Sequence, residues 1–420
     1  MGVRPRVPCA APLTENEARS TPWGTIVLRL IYLQAAQRRR HGWTFPAKIP
    51  QKFTSHTGPD WPPVAHGGER IAPKRVTTMA GDFWLGMAII FVSGALNGTF
   101  ALPMKYSRRW KWENTWLVFA LVALVILPWL LAAGLVPRLG DVYQQVPNRA
   151  LFGPIAFGFV WGIAQCTFGL GIEAVGMALA FTVVSGLACL SGSLVPLLVL
   201  DASEFFRARG ILLLISIPIL LAGLVFYGKA GRRREHEQAA APSAKSGAAY
   251  SFATGLAICI FTGIVGSAWN LGFAFSGTIL SKSQEFGAGS LASTFAVWAL
   301  ILTAGFVPNL LYCAYLLSRN QTWPLFVGHG SFREAMLGAA MGLLWLSGIV
   351  GYGIGATFVG RYGTSIGFTL FIAAQILWSN MLGVLTGEWK ATSSRTRQML
   401  AAAVAVTLVS VIVLNLGGLF

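Results

Sequence analysis

Residues 114–137 read NTWLVFALVALVILPWLLAAGLVP and contain no charged side chain. An apolar helix needs about 20 residues to cross the hydrocarbon of a bilayer, where the backbone must satisfy its own hydrogen bonds. Nine other stretches share this length and character, so the sequence predicts an all-α integral membrane protein with ten transmembrane helices. The ten uncharged runs are 83–104, 114–137, 150–172, 174–200, 210–228, 246–281, 286–318, 335–360, 362–387 and 398–420.

The composition of the chain indicates the same class of protein. Hydrophobic residues make up 55% of the 420 residues and charged residues 11%, and the mean hydropathy is +0.62. These values are far from those of soluble domains. The net charge of the chain, +17, is of a kind that nucleic-acid-binding proteins also carry. Basic residues beside apolar spans, however, typically set the orientation of the spans in the membrane and contact anionic lipid. We therefore expect the lipid bilayer as the surroundings of the chain and no nucleic acid as a partner.

Residues that carry enzyme chemistry form no pattern in this sequence. The five cysteines are scattered singly without a C-x-x-C pair, and the five histidines all lie outside the ten runs. Such spacing predicts neither a metal site nor a redox site. No G-x-x-x-x-G-K loop, which would indicate ATP as the energy source, occurs. We expect no metal, no cofactor and no enzymatic activity.

The first 78 residues differ from the rest of the chain. They are rich in Pro and Arg and contain no run long enough to span a membrane. Such a composition is typical of disordered segments. We therefore interpret residues 1–78 as a disordered or spurious extension, and we expect translation to begin at Met79.

Basic residues are distributed unevenly between the loops. The loops after the first, third, fifth, seventh and ninth runs carry most of the Lys and Arg, including Lys105 and the Arg232–Arg234 cluster. Positively charged loops remain in the cytoplasm. This distribution predicts that both ends of the ten-span unit lie outside.

The two halves of the apolar region share sequence patterns. Each of two residue sets recurs with unchanged spacing: Gly86, Ala88, Ile89 and Gly94 as Gly255, Ala257, Ile258 and Gly263, and Trp161, Gly169, Gly171, Val175 and Gly176 as Trp345, Gly353, Gly355, Val359 and Gly360. The pattern predicts two five-helix repeats, 79–228 and 250–420, joined by a basic cytoplasmic linker, 229–249. Because five is odd, the second copy would be inverted, which is the geometry of alternating access. A chance match between Gly-rich apolar helices is the alternative.

Three groups of residues resemble a known family of membrane proteins. They are Pro103, Lys105, Trp110, Trp112, Glu113, Trp116, Pro128 and Trp129; then Trp161, Gly162, Gly169, Leu170 and Gly176; and finally Gly387, Glu388 and Trp389. Over nearly all of 83–420 the chain resembles the bacterial L-rhamnose/proton symporter family of the drug/metabolite transporter superfamily. The resemblance implies ten helices in two inverted repeats of five, a multi-pass protein of the bacterial inner membrane, and uptake of a small neutral sugar with protons.

Acidic residues are absent from the ten runs, which contain no Asp, Glu or His. Proton-coupled carriers usually bind the coupling ion at an ionisable group inside the membrane. The candidate coupling residues are therefore Glu173 and Glu113, at span ends. A solvated or headgroup position is the competing interpretation for both carboxylates. Lys105, just past Pro103, is a candidate gate at the cytoplasmic mouth; the alternative is that its positive charge only orients the span.

A sugar site needs amides that bond to hydroxyl groups and aromatic rings that stack on the C–H face. Residues of this kind lie within the runs, and we predict that they line one cavity: Asn97, Trp161, Gln165, Trp269, Asn270, Trp345, Gln375 and Asn380. The alternative is that the amides only bond to neighbouring helices and the Trp rings anchor span ends. Four other Trp side chains are expected to be anchors in the headgroup layer: Trp110, Trp112, Trp116 and Trp389.

Three hypotheses for the function follow from these observations. The first is a secondary carrier that imports L-rhamnose or a related small sugar with protons. The second is an exporter or exchanger of another metabolite. The third is a membrane receptor or assembly component that keeps the fold without transporting. The sequence leaves open whether the protein is a monomer or a homodimer.

Overall fold

The computed structural model describes residues 80–200, 207–239, 251–360 and 363–416. The regular structure within these ranges is helical throughout. The predicted extension 1–78 and residues 240–249 of the predicted linker lie outside the described residues. Residues 229–239 of that linker continue the preceding helix.

Seven α-helices lie in the described residues up to position 239. They are α1 Ala80–Thr99, α2 Trp112–Leu121, α3 Leu127–Leu135, α4 Leu139–Gln145, α5 Asn148–Val175, α6 Met177–Leu200 and α7 Ala208–Ala239. A 3-10 turn, Leu102–Tyr106, follows α1. A π-helical segment, Val122–Ile126, joins α2 and α3 into one rod.

Seven further α-helices lie in the described residues from position 251 onwards. They are α8 Phe252–Val265, α9 Ala268–Ala274, α10 Gly277–Glu285, α11 Ser290–Arg319, α12 Ser331–Val359, α13 Phe368–Leu385 and α14 Ser394–Leu416. A 3-10 turn, Trp323–Phe326, follows α11, and a π-helical turn, Gly363–Gly367, precedes α13.

Nine helical segments within the described ranges are long and apolar enough to cross a bilayer. They are Asp82–Tyr106, Trp112–Leu135, Asn148–Val175, Gly210–Gln238, Phe252–Ala274, Ser290–Arg319, Ser331–Val359, Phe368–Leu385 and Ser394–Leu416. Each corresponds to one of the predicted runs. The remaining run, 174–200, falls on α6, in which Met177–Gly192 is a shorter apolar stretch. The chain is therefore a multi-pass helical membrane protein.

The predicted run 246–281 is not a single helix. It is divided into α8, α9 and the start of α10. The Oγ atom of Ser267 donates to Ile264 O at 2.9 Å, and that of Ser276 donates to Gly272 O at 2.8 Å. Hydroxyl groups that bond to the preceding turn compete with the backbone ladder, and Gly266 adds flexibility at the first break. A search for uncharged runs does not detect such breaks, and it also missed α4 and α10.

Neighbouring helices approach closely where glycines face each other. A Cβ atom at Gly162 of α5 would overlap the backbone of Gly305 in α11, and one at Gly158 would lie 2.5 Å from Ile301 O. In lipid, small residues at a helix contact replace the hydrophobic effect as the source of association. The α5–α11 crossing brings Trp161 to the middle of the protein.

The expectation that four Trp residues are headgroup anchors is wrong for at least three of them. Trp116 is fully buried, and its Nε1 donates to Asn309 Oδ1 at 2.9 Å. Trp110 is buried and donates to Leu325 O, and Trp389 is buried beneath the Arg234 guanidinium. Trp116 contacts α11 through Asn309, Trp110 contacts the turn after α11, and Trp389 contacts α7 through Arg234, so all three rings lie inside the protein. Trp112 is half-buried and stacks on Trp116 with ring centroids 5.3 Å apart.

Candidate functional site

A cavity of about 280 Å³ lies among the helices. This is close to the lower end of the volumes typical of small-molecule sites, about 300–1,000 Å³. Side chains from α1, α5, α6, α8, α9, α11, α12 and α13 line it. Its polar side chains are Asn97, Gln165, Ser185, Thr262, Ser267, Asn270 and Gln375, and its aromatic ones include Trp161, Trp269, Trp298, Trp345 and Tyr352.

Seven of the eight predicted site residues lie together at this cavity. They are Asn97, Trp161, Gln165, Trp269, Asn270, Trp345 and Gln375. The eighth, Asn380, is not among the lining residues. Its Nδ2 donates at 2.8 Å to both Thr182 Oγ1 and Ile376 O, so it joins α13 to α6. The role of the seven in binding a substrate stays a prediction.

The Trp side chains form one continuous aromatic wall. The ring centroids of Trp161 and Trp269 are 4.9 Å apart, and those of Trp161 and Trp345 are 6.0 Å apart. Trp298 extends the wall, with its ring centroid 5.9 Å from that of Trp269. Four different helices supply these rings. Such a wall offers an apolar face on which the C–H face of a sugar can stack.

Two of the cavity amides are held by protein acceptors. Asn97 Nδ2 donates to Trp345 O at 3.2 Å, and Gln375 Nε2 donates to Ser185 Oγ at 3.0 Å. These bonds link α1 to α12 and α13 to α6. They also fix the rotation of each amide, so the two side chains are rigid before any ligand arrives.

Two other polar groups at the cavity have unsatisfied donors. Gln165 Nε2 and Trp298 Nε1 are buried and have no hydrogen-bond partner among the described residues. Trp298 was not predicted from the sequence, where its neighbours are apolar and no amide lies beside it. Ser185 was missed as well. The only feature of the sequence that indicates Ser185 is its position in the uncharged run 174–200.

Charged side chains are absent from the described lining of the cavity. Glu173 is exposed near the end of α5. Glu113 is 4% exposed, and its Oε1 accepts from Asn320 Nδ2 at 3.0 Å and Thr322 Oγ1 at 2.9 Å. The solvated alternative is therefore wrong for Glu113, which ties α2 to the loop after α11. Neither carboxylate lines the cavity.

A second buried carboxylate, Glu334, was missed in the sequence. It is 2% exposed at the start of α12 and accepts from Ser107 Oγ at 2.7 Å. The backbone N–H of Arg108 and the guanidinium of Arg333 also donate to it. Glu113 and Glu334 thus fasten the same end of the helix bundle.

Lys105 lies at this end and is ion-paired with Glu388. The Glu388 carboxylate also accepts the N–H groups of Met177 at 2.8 Å and Ala178 at 3.2 Å, at the start of α6. A helix N-terminus carries partial positive charge, so the carboxylate receives positive charge from two directions. Arg234 donates to Val175 O beside it. Together these contacts join the segments after α1 and α13 to the start of α6 at this end of the bundle.

A bundle of membrane-spanning helices around a rigid, uncharged cavity of amides and indoles defines a membrane carrier for a small neutral molecule. No group of three or more His, Cys, Asp or Glu that could hold a metal ion occurs in the parts of the chain described here. The cavity provides amides, hydroxyl groups and indole rings that can bind a small molecule.

The comparison with known proteins identifies the family. The family model described as L-rhamnose-proton symport protein (RhaT) matches residues 79–419, and the chain belongs to this family. It is 24% identical over 351 residues to the L-rhamnose-proton symporter of Pectobacterium atrosepticum, covering 81% of this chain and 99% of that protein. The symporters of Cronobacter sakazakii and Mannheimia succiniciproducens are 23% and 24% identical, with the same coverage. The resemblance inferred from the sequence is confirmed, and the family is one of transporters rather than enzymes.

Proposed function

We propose that this protein imports L-rhamnose or a related small sugar together with protons by alternating access. Membership of the symporter family supports this function, as do the names of the relatives that match nearly their whole length. The observation that carries the proposal is the uncharged cavity itself. Its amides can bond to hydroxyl groups while the Trp wall stacks on the ring. Export or exchange of another metabolite, and a non-transporting receptor, have no comparable support.

Uptake by proteoliposomes tests the proposal. Labelled L-rhamnose should accumulate when an inward proton gradient is imposed, and a protonophore should abolish the accumulation. Liposomes without protein give the background, and an excess of unlabelled L-rhamnose should compete. Equal uptake with and without the gradient would contradict proton coupling, whereas no specific uptake at all would contradict the substrate.

We further propose an arrangement of ten helices in two inverted repeats. The packing partners stay the same when each helix of the first half is exchanged with its counterpart in the second half. The counterparts are α1 and α8, α2–α3 and α11, α5 and α12, α6 and α13, and α7 and α14. Thus α1 packs on α12 and α13, while α8 packs on α5 and α6. Likewise α2 packs on α12 as α11 packs on α5, and α6 packs on its own counterpart α13, as α7 does on α14. Self-paired counterparts of this kind are expected around a two-fold axis.

Equivalent glycine contacts support the same symmetry. A Cβ atom at Gly86 would lie 2.9 Å from Val359 Cγ2, and one at Gly255 would lie 2.6 Å from Val175 Cγ1. Gly86 and Gly255 correspond in the first repeated set of the sequence, and Val175 and Val359 correspond in the second. The Gly86–Val359 and Gly255–Val175 contacts are therefore equivalent. Each joins a residue of the first repeated set to a residue of the second, which argues against a chance match.

For orientation, we propose the bacterial inner membrane with both ends of the ten-span unit outside. The uneven distribution of Lys and Arg supports it. The end closed by Lys105 and Glu388 then faces the cytoplasm, and we propose Lys105 as part of the gate there. The cavity would be reached from the outer side, as uptake requires.

The proposed coupling carboxylate is Glu173 rather than Glu113. Glu173 is exposed and makes no hydrogen bond or ion pair with the described residues, so a proton can bind without breaking a contact. Glu113 holds two donors of the loop after α11. Glu173→Gln should abolish gradient-driven accumulation while leaving exchange of labelled for unlabelled sugar intact. Accumulation at the unaltered level would remove Glu173 from the coupling mechanism.

A further inference from the structure

The hydrogen-bonding atoms that the cavity offers fall into two kinds. Asn97 and Gln375 each use the amide N–H₂ on a protein acceptor, Trp345 O and Ser185 Oγ respectively. Their carbonyl oxygens, Oδ1 and Oε1, thus remain acceptors held in fixed positions. An acceptor of this kind is satisfied only by a donor, such as the O–H of a ligand.

Two hydrogen-bond donors of the cavity-lining side chains are Gln165 Nε2 and Trp298 Nε1. Both are buried without a partner in the described part of the chain. A buried N–H without an acceptor is costly, and such groups are rare in folded proteins unless a ligand or ordered water satisfies them. Each therefore indicates a missing oxygen acceptor at the cavity.

We infer that Trp298 is a substrate-recognition residue, whose indole N–H donates to a hydroxyl or ring oxygen of the bound sugar beside Gln165. The inference rests on the proposed function and extends it to α11. A ligand that satisfies the whole pattern must offer O–H donors to Asn97 and Gln375 and oxygen acceptors to Trp298 and Gln165. A neutral polyol ring has both on neighbouring carbons. The uncharged lining selects against carboxylated or phosphorylated sugars, whose burial without a counter-charge is costly.

The competing explanation is that Trp298 Nε1 lacks a hydrogen-bond partner only because of how the helices pack. The chain contains a matched control for this explanation. Trp112 Nε1 is also buried without a partner among the described residues, but Trp112 is not among the cavity-lining side chains. Trp298→Phe and Trp112→Phe each remove an unpartnered indole N–H and keep an aromatic ring. If both nitrogens were packing accidents, the two variants would bind sugar equally well.

Isothermal titration of the purified full-length chain in detergent tests the inference. For L-rhamnose we expect Trp298→Phe to weaken binding about tenfold, the loss typical of one hydrogen bond, and Trp112→Phe to leave it within about twofold. In uptake assays Trp298→Phe should raise KM by a similar factor with little change in the maximal rate. A purely structural role would lower the maximal rate and the melting temperature instead.

The possible outcomes separate the inference from the proposed function. Equal binding by wild type and Trp298→Phe would overturn the recognition role of Trp298 while leaving rhamnose transport intact. If wild type does not bind L-rhamnose, the proposed substrate is wrong. Wild type and the same variants are then titrated with a panel of neutral aldoses. The inference is overturned if none of these sugars binds, or if Trp298→Phe binds them as tightly as wild type does. Should Trp298→Phe fail to fold, Gln165→Leu removes the other unpartnered donor, and an unaltered affinity in that variant would overturn it equally.

Discussion

Buried polar side chains in this protein differ in whether the protein itself satisfies them. Asn309 is fully buried and uses its whole amide: it accepts from Trp116 Nε1 and donates to Gly162 O and Gly305 O, each at 2.9 Å. Gln165 lies on the same helix as Gly162, but its Nε2 has no partner in the described ranges. The first arrangement is typical of a structural contact, and the second leaves a donor available for a ligand.

This difference predicts opposite effects for two similar substitutions. Asn309→Leu should lower stability by about 1–3 kcal/mol, because Trp116 Nε1 would remain buried without an acceptor. Gln165→Leu should preserve stability, because no satisfied bond is lost, and should weaken sugar binding. Thermal unfolding in detergent and rhamnose titration measure the two quantities. If Asn309→Leu melted like wild type, or Gln165→Leu melted much lower, the distinction between the two residues would fail.

At the level of single residues the sequence predicts seven of the cavity-lining side chains, because amides and indoles within uncharged runs are placed inside the protein. There they line the cavity or, like Asn309 and Trp116, bond to neighbouring helices. The prediction fails for Asn380, which follows Gln375 by five positions. Five residues advance a helix by about 7.5 Å along its axis. Gln375 therefore meets α6 at Ser185, beside the cavity, whereas Asn380 meets the same helix at Thr182, which does not line it. The prediction also fails for Trp298, whose neighbours in the sequence are apolar, because only packing brings that ring to the amides.

At the level of helices, the close α5–α11 contact determines where Trp161 stands. Glycines make the contact possible, since a Cβ atom at Gly162 would overlap the backbone of Gly305. By contrast, a Cβ atom at Gly134 of α3 would meet nothing within 4 Å. Backbone atoms cannot move aside as a flexible side chain can, so a methyl group at the first position forces the helices apart.

Gly162→Ala should therefore reduce folding yield and uptake, at a cost of the order of 1–3 kcal/mol for an overpacked contact. Gly134→Ala should express and transport as wild type does. Size-exclusion chromatography in detergent and rhamnose uptake by vesicles measure both variants. Normal uptake by Gly162→Ala would mean that α5 and α11 are free to separate, contrary to the packing described.

Helix breaks were less predictable than helix positions. Hydropathy depends on residue type alone, so it located nine spans and the position of α6. The division of 246–281 depends on which hydroxyl groups bond to the preceding turn, such as Ser267 to Ile264 O. Serines elsewhere in the spans make the same bond without breaking a helix, as Ser93 does with Ile89 O. Tertiary packing decides between the two results, and a single sequence does not reveal it.

On the scale of the whole molecule, the family match begins at Met79, and the relatives cover 81% of the chain. We propose that residues 1–78 are unnecessary for transport. A chain that starts at Met79 should insert and take up rhamnose at the rate of the full-length chain per molecule of protein. Intact-mass measurement of the native protein tests the start itself, and a mass near 45.0 kDa would refute initiation at Met79.

Alternating access requires that the closed end of the bundle open during each cycle. Glu388 is the centre of that closure, because it pairs with Lys105 after α1 and accepts two N–H groups at the start of α6. Lys105 and α6 belong to the first proposed repeat, and Glu388 belongs to the second. Opening must therefore break the ion pair, whereas an exposed pair on a single segment, such as Arg138–Asp141, has no such function.

Weakening the ion pair should shift the carrier towards the state open to the cytoplasm. Glu388→Gln keeps an acceptor for Met177 N but loses the charge that holds Lys105. Ala101, which is buried and lies between Asn97 and Lys105 in the sequence, serves as a reporter when changed to Cys. In inside-out vesicles we expect Glu388→Gln to raise the rate of maleimide labelling at this cysteine several-fold and to lower concentrative uptake. Asp141→Asn, which breaks the exposed pair, should change neither. An unchanged labelling rate in Glu388→Gln would show that the pair does not hold the cytoplasmic end closed.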